Sequence, residues 1–188
     1  MGKYTVVSED AFETLQLDAG VLLSSFNPAS PTTPASADII CTTSGGIHIT
    51  CVPTYSDFGA DVDNVPNNMM EYKHLDGWDC AMAFSNIKFN QSNLAFGLGA
   101  ADKTGTTKVV PRRDLEQTDF KDELWWVGDK ADRGAVAVCL KHALSTGGLD
   151  IQTTKNGKGK MAMTITGHVS INAQSTMPME FYVLAAEA

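Results

Sequence analysis

The fold class is decided by residues 147–184, which read GGLDIQTTKNGKGKMAMTITGHVSINAQSTMPMEFYVL. From Lys160 to Ile171, apolar and polar residues alternate, as in a half-buried strand whose successive side chains leave opposite faces of the pleat. Residues 149–152 alternate as well, and Asn156-Gly157 tolerates the positive φ that tight hairpin turns require. The stretch therefore predicts a long antiparallel hairpin, about 40 Å from end to end, with one apolar and one polar face.

The chain of 188 residues is long enough for one domain with one sizeable core. We expect an N-terminal arm over residues 1–37, with a short helix that starts at Ser8, and a single β-sandwich domain over residues 38–188. A long loop is predicted over residues 53–76. Loops of this length inside a compact domain usually serve a function or an interaction.

Other segments predict strands around that core. A hairpin is predicted over residues 38–52, with its turn at Ser44-Gly45-Gly46, and the best helix candidate is residues 90–101, capped at Ser92 or Asn93. With roughly seven or eight strands, the predicted fold class is mainly β. We expect an antiparallel β-sandwich or barrel with one short helix.

The charge balance argues against a protein that grips nucleic acid. The net charge is −8 and the pI is near 4.8, whereas phosphate neutralisation needs clustered Lys and Arg. Arg112-Arg113 is the only tight basic spot, and a solvated or inter-subunit ion pair explains it better than a nucleic-acid contact. No apolar run approaches the ~20 residues of a membrane span, and no signal peptide is evident. We therefore expect a protein made in a cytosol.

The cysteines and histidines do not form a catalytic or metal-binding pattern. In a cytosol we expect Cys41, Cys51, Cys80 and Cys139 to be buried thiols, with a Cys41–Cys51 disulfide across the predicted hairpin as the alternative. Asp57, Asp61 and Asp63 superficially suggest calcium, but their loop lacks the glycine and the closing Glu of an EF-hand. We predict no metal, no cofactor and no enzymatic activity.

Several apolar residues of the arm and the long loop are unsuited to water. They need a groove on this subunit or on a neighbouring one. The candidates for inter-subunit contact are Phe12, Leu22, Phe26, Tyr55, Phe58 and Val62. Trp125-Trp126 predicts one ring on each face of a strand, one in the core and the other against a loop or a partner.

Segments spread over most of the chain resemble the major tail proteins of long-tailed bacteriophages, which are the subunits of the tail tube. In the C-terminal part these segments are 145–148, 152–159, 164–171 and 178–183. Elsewhere they are 8–26, 51–57, 73–79, 111–115, 119–120 and 125–129. They are assembly segments, so the resemblance rests on the whole pattern rather than on one diagnostic residue.

The resemblance implies a structural virion protein that forms stacked rings, usually of six subunits. The inner sheets of such a ring join into one barrel, through which double-stranded DNA passes on ejection without specific binding. Implied partners are further copies and other tail proteins, such as the tape measure, terminator and distal tail proteins. The implied location is the phage tail, assembled in the host bacterial cytoplasm.

Within such a ring, the polar faces of residues 149–171 and 47–52 are expected to line the lumen. The lumen-facing candidates are Asp150, Gln152, Thr164, Thr166 and Ser170. Two alternatives stay open. One is the inner tube of a contractile injection system, and the other is a carbohydrate-binding β-sandwich in which Trp78, Trp125 or Trp126 stacks on sugars.

Overall fold

The computed structural model describes residue 4, residues 7–8 and residues 11–186, and in that part the chain forms eleven β-strands and one α-helix. The strands are β1 (Gln16–Leu23), β2 (Ile39–Cys41), β3 (Thr43–Asp57), β4 (Lys73–Asn86), β5 (Ala101–Thr104), β6 (Lys108–Pro111), β7 (Lys121–Lys130), β8 (Ala135–Ser145), β9 (Asp150–Gln152), β10 (Lys160–Thr166) and β11 (Met179–Leu184). The helix is α1 (Gln91–Leu98). The strand pairs are antiparallel, so the predicted class, mainly antiparallel β with one short helix, is confirmed.

Strand β8 joins two sheets. One of its edges pairs with β7, while its other edge pairs first with β11 and then, at Leu144 and Ser145, with β10. The first sheet therefore has the order β2-β1-β7-β8-β11, and the second has the order β8-β10-β4-β3, with β9 also on β10. His142 has a φ of 45° where β8 passes from one partner to the other. Strands β5 and β6 form a separate hairpin.

The main core lies between the two sheets. Its fully buried side chains alternate along the strands, as the period of two requires: Leu124 on β7, Leu140 on β8, Met82 on β4, and Met161 and Ile165 on β10. Burying one such side chain contributes about 1.5–3 kcal/mol to folding.

A second apolar cluster covers the outer face of the first sheet. Trp125 packs there with Cys139 and Leu23, and the Phe26 ring lies 5.5 Å from the Trp125 ring. Trp126 belongs to the main core, where its Nε1 donates to the carbonyl oxygen of Ala19 at 3.0 Å. The prediction of one tryptophan ring on each face is confirmed.

The C-terminal hairpin is shorter than predicted. Strand β9 has three residues, and β10 ends at Thr166 rather than at Ile171. Beyond Thr166 the chain passes from one sheet to the other. Gly167 N–H donates to the carbonyl oxygen of Cys80 on β4, and His168 N–H donates to that of Lys141 on β8. A Cβ at Gly167 would lie 2.6 Å from Leu140 Cδ1, so glycine permits this crossing. The expected span of about 40 Å is therefore wrong.

The hairpin predicted over residues 38–52 does not form. Strand β2 pairs with β1, and β3 pairs with β4. Gly45 and Gly46, with φ of 88° and 82°, create a bulge within β3, where the register shifts between Thr43 and Ile47. Two glycines that suit a turn also suit a bulge, because both need positive φ.

Two predicted boundaries are also corrected. Strand β1 lies within the expected arm 1–37 but pairs with β2 and β7, so this part of the arm belongs to the first sheet. The loop expected at 53–76 is shorter, since β3 continues to Asp57 and β4 begins at Lys73. The helix expected to start at Ser8 includes residues 9–10, which lie outside the described residues, and residues 11–14 form a turn.

The N-cap of helix α1 lies two or three residues earlier than predicted. Its N-cap is Asn90, not Ser92 or Asn93, and the Asn90 side chain accepts a hydrogen bond from Asn93 N–H at 2.7 Å. At Gly97 the helix lies close to the second sheet, since a Cβ there would lie 2.9 Å from Cε of Met163 on β10.

All four cysteines are free thiols. Cys41 lies opposite Leu22 on β1, whereas Cys51 lies opposite Cys80 on β4. The alternative Cys41–Cys51 disulfide is therefore wrong, because its two residues belong to strands that do not pair.

Arg112 ties three acidic side chains together at the end of β6. Its guanidinium forms ion pairs with Asp102, Glu116 and Asp119. Burial alone would raise the pKa of Asp119. The backbone N–H of Glu116 and the Arg112 guanidinium outweigh burial, and the pKa is lowered.

We expect Leu140→Ala to destabilise the protein by about 2–5 kcal/mol, because it opens a cavity where no solvent reaches. Chemical denaturation measures the change, with the exposed Leu115→Ala as the matched control, expected within about 0.5 kcal/mol of the parent protein. Equal effects of the two substitutions would contradict this location of the core.

We expect Asp119→Asn to lower Tm at neutral pH, since it removes the carboxylate held by Arg112. A carboxylate with a lowered folded pKa stabilises the fold above its unfolded pKa, and this is lost as the pH falls through the folded value. The Tm difference from the parent protein should therefore close below about pH 4 in a thermal melt series. The exposed Asp114→Asn is the control, and a difference that persists unchanged into acid would refute the assignment.

Candidate functional site

One face of the second sheet gathers most of the predicted lumen residues. Thr164 lies opposite Ala83, Thr166 opposite Ala81, and Asp150 opposite Ala162. Directly opposed residues of antiparallel strands project from the same face. This outward face, hereafter the polar sheet face, comprises His48, Thr50, Ala81, Ala83, Ser85, Asp150, Gln152, Lys160, Ala162, Thr164 and Thr166.

Ser170 is not part of the polar sheet face. It lies beyond the end of β10, where its side-chain oxygen accepts a hydrogen bond from Asn172 N–H at 3.3 Å and caps a short 3₁₀ turn at Ile171–Ala173. The sequence placed it on the strand because the alternation continues after Thr166. The crossing at Gly167 ends the strand before that alternation can be used.

Seven of the eleven residues on the polar sheet face are Ala, Ser or Thr, and His48, Gln152 and Lys160 are its larger side chains. The hydroxyls of Thr146 and Thr166 lie 2.5 Å apart, and the hydroxyl of Thr50 donates to the carbonyl oxygen of Ala81 at 3.4 Å. The polar sheet face carries one acidic side chain, Asp150, and one basic side chain, Lys160. A shallow groove of about 370 Å³ lies on the face, with Ser44, His48 and Asp150 among its lining residues. Phosphate binding needs clustered cations, which this set of residues does not supply.

Strands β3 and β4 continue past the core as a projecting hairpin, here defined as residues 52–79. Three predicted contact residues lie on it, and Phe58 at its tip is 63% exposed. Its exposed apolar side chains are Val52, Tyr55, Phe58, Val62, Met70, Tyr72, Leu75 and Trp78. Tyr72 and Leu75 are exposed apolar residues that were not predicted as contact candidates, although their place beside the loop was a signal that could have identified them.

The loop at the tip of the projecting hairpin is organised by Asp57. Its carboxylate accepts hydrogen bonds from the N–H groups of Gly59 and Asn68, and Lys73 Nζ lies 3.6 Å away. The Gly59 N–H is the largest cause that lowers the Asp57 pKa, and the Asn68 N–H and Lys73 add to it. The Asp57 carboxylate is therefore engaged by groups of its own loop and of the adjoining strand. Among the described residues, no three His, Cys, Asp or Glu side chains come together to hold a metal ion.

The other contact candidates differ in their placement. Phe12 is 71% exposed, and Phe26 is half-buried against Trp125. Leu22 is 0% exposed within the main core, so its assignment as an inter-subunit contact is corrected. On β1 it lies opposite Trp126 of β7. The short apolar segment around Leu22 did not indicate which part of the chain would bury it.

An apolar cleft, which was not predicted from the sequence, opens between the two sheets. Met179, Phe181 and Val183 of β11 lie opposite Leu140, Val138 and Val136 of β8, which face the main core. Phe181 and Val183 nevertheless remain exposed, the latter by 74%. Phe181 and Met179 line a cleft of about 400 Å³ together with Cys51, Trp78, Cys80 and Met177.

The tryptophans do not form a sugar-stacking platform. Trp125 and Trp126 are both buried, so neither ring is available to a ligand. Trp78, 37% exposed at the cleft, is the remaining tryptophan of the carbohydrate-binding alternative.

The basic side chain of Arg112 forms ion pairs with three carboxylates of its own chain.

In the part of the chain that the structure covers, no helix has the length and apolar character needed to cross a membrane.

No protein-family model matches the chain, and no curated protein matches it. Among solved structures, the chain is similar to one in the tail of an empty GTA particle, refined helically with C6 symmetry. The similarity covers 87% of this chain and 96% of that chain, with 9% sequence identity and a TM-score of 0.41. At this TM-score and identity, the function of the chain has to be inferred from its own residues.

Proposed function

We propose that this chain is a structural subunit that polymerises into stacked rings and forms the wall of a tail tube, the conduit for DNA ejection. One observation supports this most. The same molecule carries a polar sheet face of small side chains and, beyond the core, a projecting hairpin with exposed apolar groups on it. In an isolated subunit that apolar surface would be exposed to water, whereas in an assembly it would be buried between subunits.

Open strand edges favour closure by further copies. Strand β3 is 15 residues long and pairs with β4 on one side, while its other side has no partner strand in the described chain. An unpaired edge invites another strand, and a closed ring leaves no edge. In the proposed ring, the second sheets of neighbouring subunits join edge to edge into one barrel, and the resemblance implies six subunits.

The polar sheet face would line the channel of that barrel. Asp150, Gln152, Thr164 and Thr166 share it with small alanines, so the wall would be smooth and free of cationic clusters. Six copies with a net charge of −8 each carry about −48 per ring, which repels phosphate. Double-stranded DNA would therefore slide past without specific binding, and Lys160, at the end of β10, would lie near a rim.

Stacking of rings would use the projecting hairpin. A heterologous contact that closes gives a ring and one that does not close gives a filament, so a tube needs both kinds of contact. Tyr55, Phe58 and Val62 supply exposed apolar groups on the hairpin, and Phe12 supplies one on the arm. The resemblance implies the tape measure, terminator and distal tail proteins as further partners, in a virion assembled in the host cytoplasm. The inner tube of a contractile injection system would use the same surfaces.

Assembly should depend on the exposed aromatic side chains at the hairpin tip. We expect Phe58→Asp to raise the protein concentration needed for polymerisation at least about tenfold, because it places a charge in a buried inter-ring contact. Sedimentation across a concentration series measures the change.

The matched control is Phe89→Asp, an exposed phenylalanine next to α1 and outside the projecting hairpin. It should polymerise as the parent protein does, and all three proteins should share one Tm. If Phe58→Asp polymerises at the parent concentration, the hairpin is not the stacking contact. If no condition polymerises the parent protein, the proposed function itself fails.

A further inference from the structure

Two thiols meet where the projecting hairpin leaves the core. Cys51 of β3 lies directly opposite Cys80 of β4, and their Sγ atoms are 2.7 Å apart. Directly opposed residues of antiparallel strands have Cα atoms about 4.5–5.5 Å apart, within the range that a disulfide spans. A disulfide between these two residues is therefore compatible with the pairing of β3 and β4.

Cys51 is the member of the pair that small reagents can reach, since Cys80 is 1% exposed. Cys51 is half-buried, and both residues line the apolar cleft between the sheets, next to Trp78 and Phe181. Cys41 and Cys139 are buried, and they lie opposite Leu22 and Trp125 rather than opposite a thiol. The arrangement therefore singles out one pair among the four cysteines.

We propose that Cys51 and Cys80 form a redox modification site, which a low-molecular-weight disulfide such as oxidised glutathione converts into a cross-strand disulfide. Cys51, as a thiolate after losing its proton to solvent, attacks one sulfur of oxidised glutathione and releases the first glutathione thiolate. Cys80 then loses its proton and attacks the Cys51 sulfur of the mixed disulfide, which releases the second glutathione. Two cysteine thiols are oxidised and one glutathione disulfide is reduced to two thiols.

The order of attack follows from the surroundings of the two sulfur atoms. Burial, followed by the contact with Cys51, raises the pKa of Cys80 to about 12. The less buried Cys51 is therefore the entry point and Cys80 the resolving thiol. Because the thiolate is the nucleophile, bridge formation should become faster as the pH rises from neutral.

The bridge would fasten the base of the projecting hairpin. It would join β3 and β4 at the last pair that belongs to the main core, where residues 52–79 begin to project into solvent. A reducing cytosol would keep the thiols free, and an oxidising medium would close the bridge. This property concerns the single subunit and does not depend on polymerisation.

The test incubates the folded protein, dilute and unpolymerised, with oxidised glutathione. Remaining thiols are then alkylated in denaturant, and the protein is analysed by intact mass and non-reducing peptide mapping. We expect the oxidised parent protein to take up two alkyl groups, where the reduced protein takes up four, and to yield a linked peptide pair that contains Cys51 and Cys80. Glutathione disulfide is preferred to peroxide, because peroxide also oxidises the exposed Met177.

The control variants separate this pair from the other two cysteines. Cys41→Ser and Cys139→Ser should form the bridge as the parent protein does, whereas Cys51→Ser and Cys80→Ser should not. The inference is overturned if all four thiols of the parent stay alkylatable, if a different pair is linked, or if a glutathione adduct persists on Cys51 unresolved. Limited proteolysis should also cut within 52–79 more slowly after oxidation, and an unchanged rate would overturn the fastening of the hairpin.

Discussion

The structure depends on β8, because this single strand belongs to both sheets. Its outer edge holds β11 along one part and β10 at Leu144 and Ser145, so the two sheets are fixed relative to each other. Leu140, fully buried, packs where the sheets meet, and the absence of a side chain at Gly167 lets the chain return beside it. If β8 paired with other strands, the main core would be lost, and the two sheets would no longer be held in their relative position.

This arrangement has two consequences at the surface. The second sheet keeps one face on the core and turns the other, made of small residues such as Thr164 and Ala83, to the outside. Beyond the core the same sheet continues into the projecting hairpin, whose apolar side chains are largely exposed, while β11 leaves Val183 exposed. The proposed tube accounts for both features, since one surface would bound a channel and the other would be buried between subunits.

The sequence predicted what depends on local alternation and failed on what depends on distant pairing. The pattern from Lys160 to Thr166 correctly identified β10, and the polar residues of that pattern share a face with Asp150 and Gln152. Nothing in the 38–52 segment revealed that β2 would pair with β1, because Gly45-Gly46 suits a turn and a bulge equally. Leu22 was misassigned for the same reason, since its burial depends on β7, about a hundred residues away.

In the proposed tube, the polar sheet face bounds a channel made by many copies. Electron microscopy of the purified protein over a concentration series, followed by reconstruction of any assembly, tests it most directly. We expect stacked rings with a central hole lined by Asp150, Gln152, Thr164 and Thr166, and with the projecting hairpin between rings. Rings whose hole is lined by the first sheet, or a protein that stays monomeric at every concentration, would contradict it.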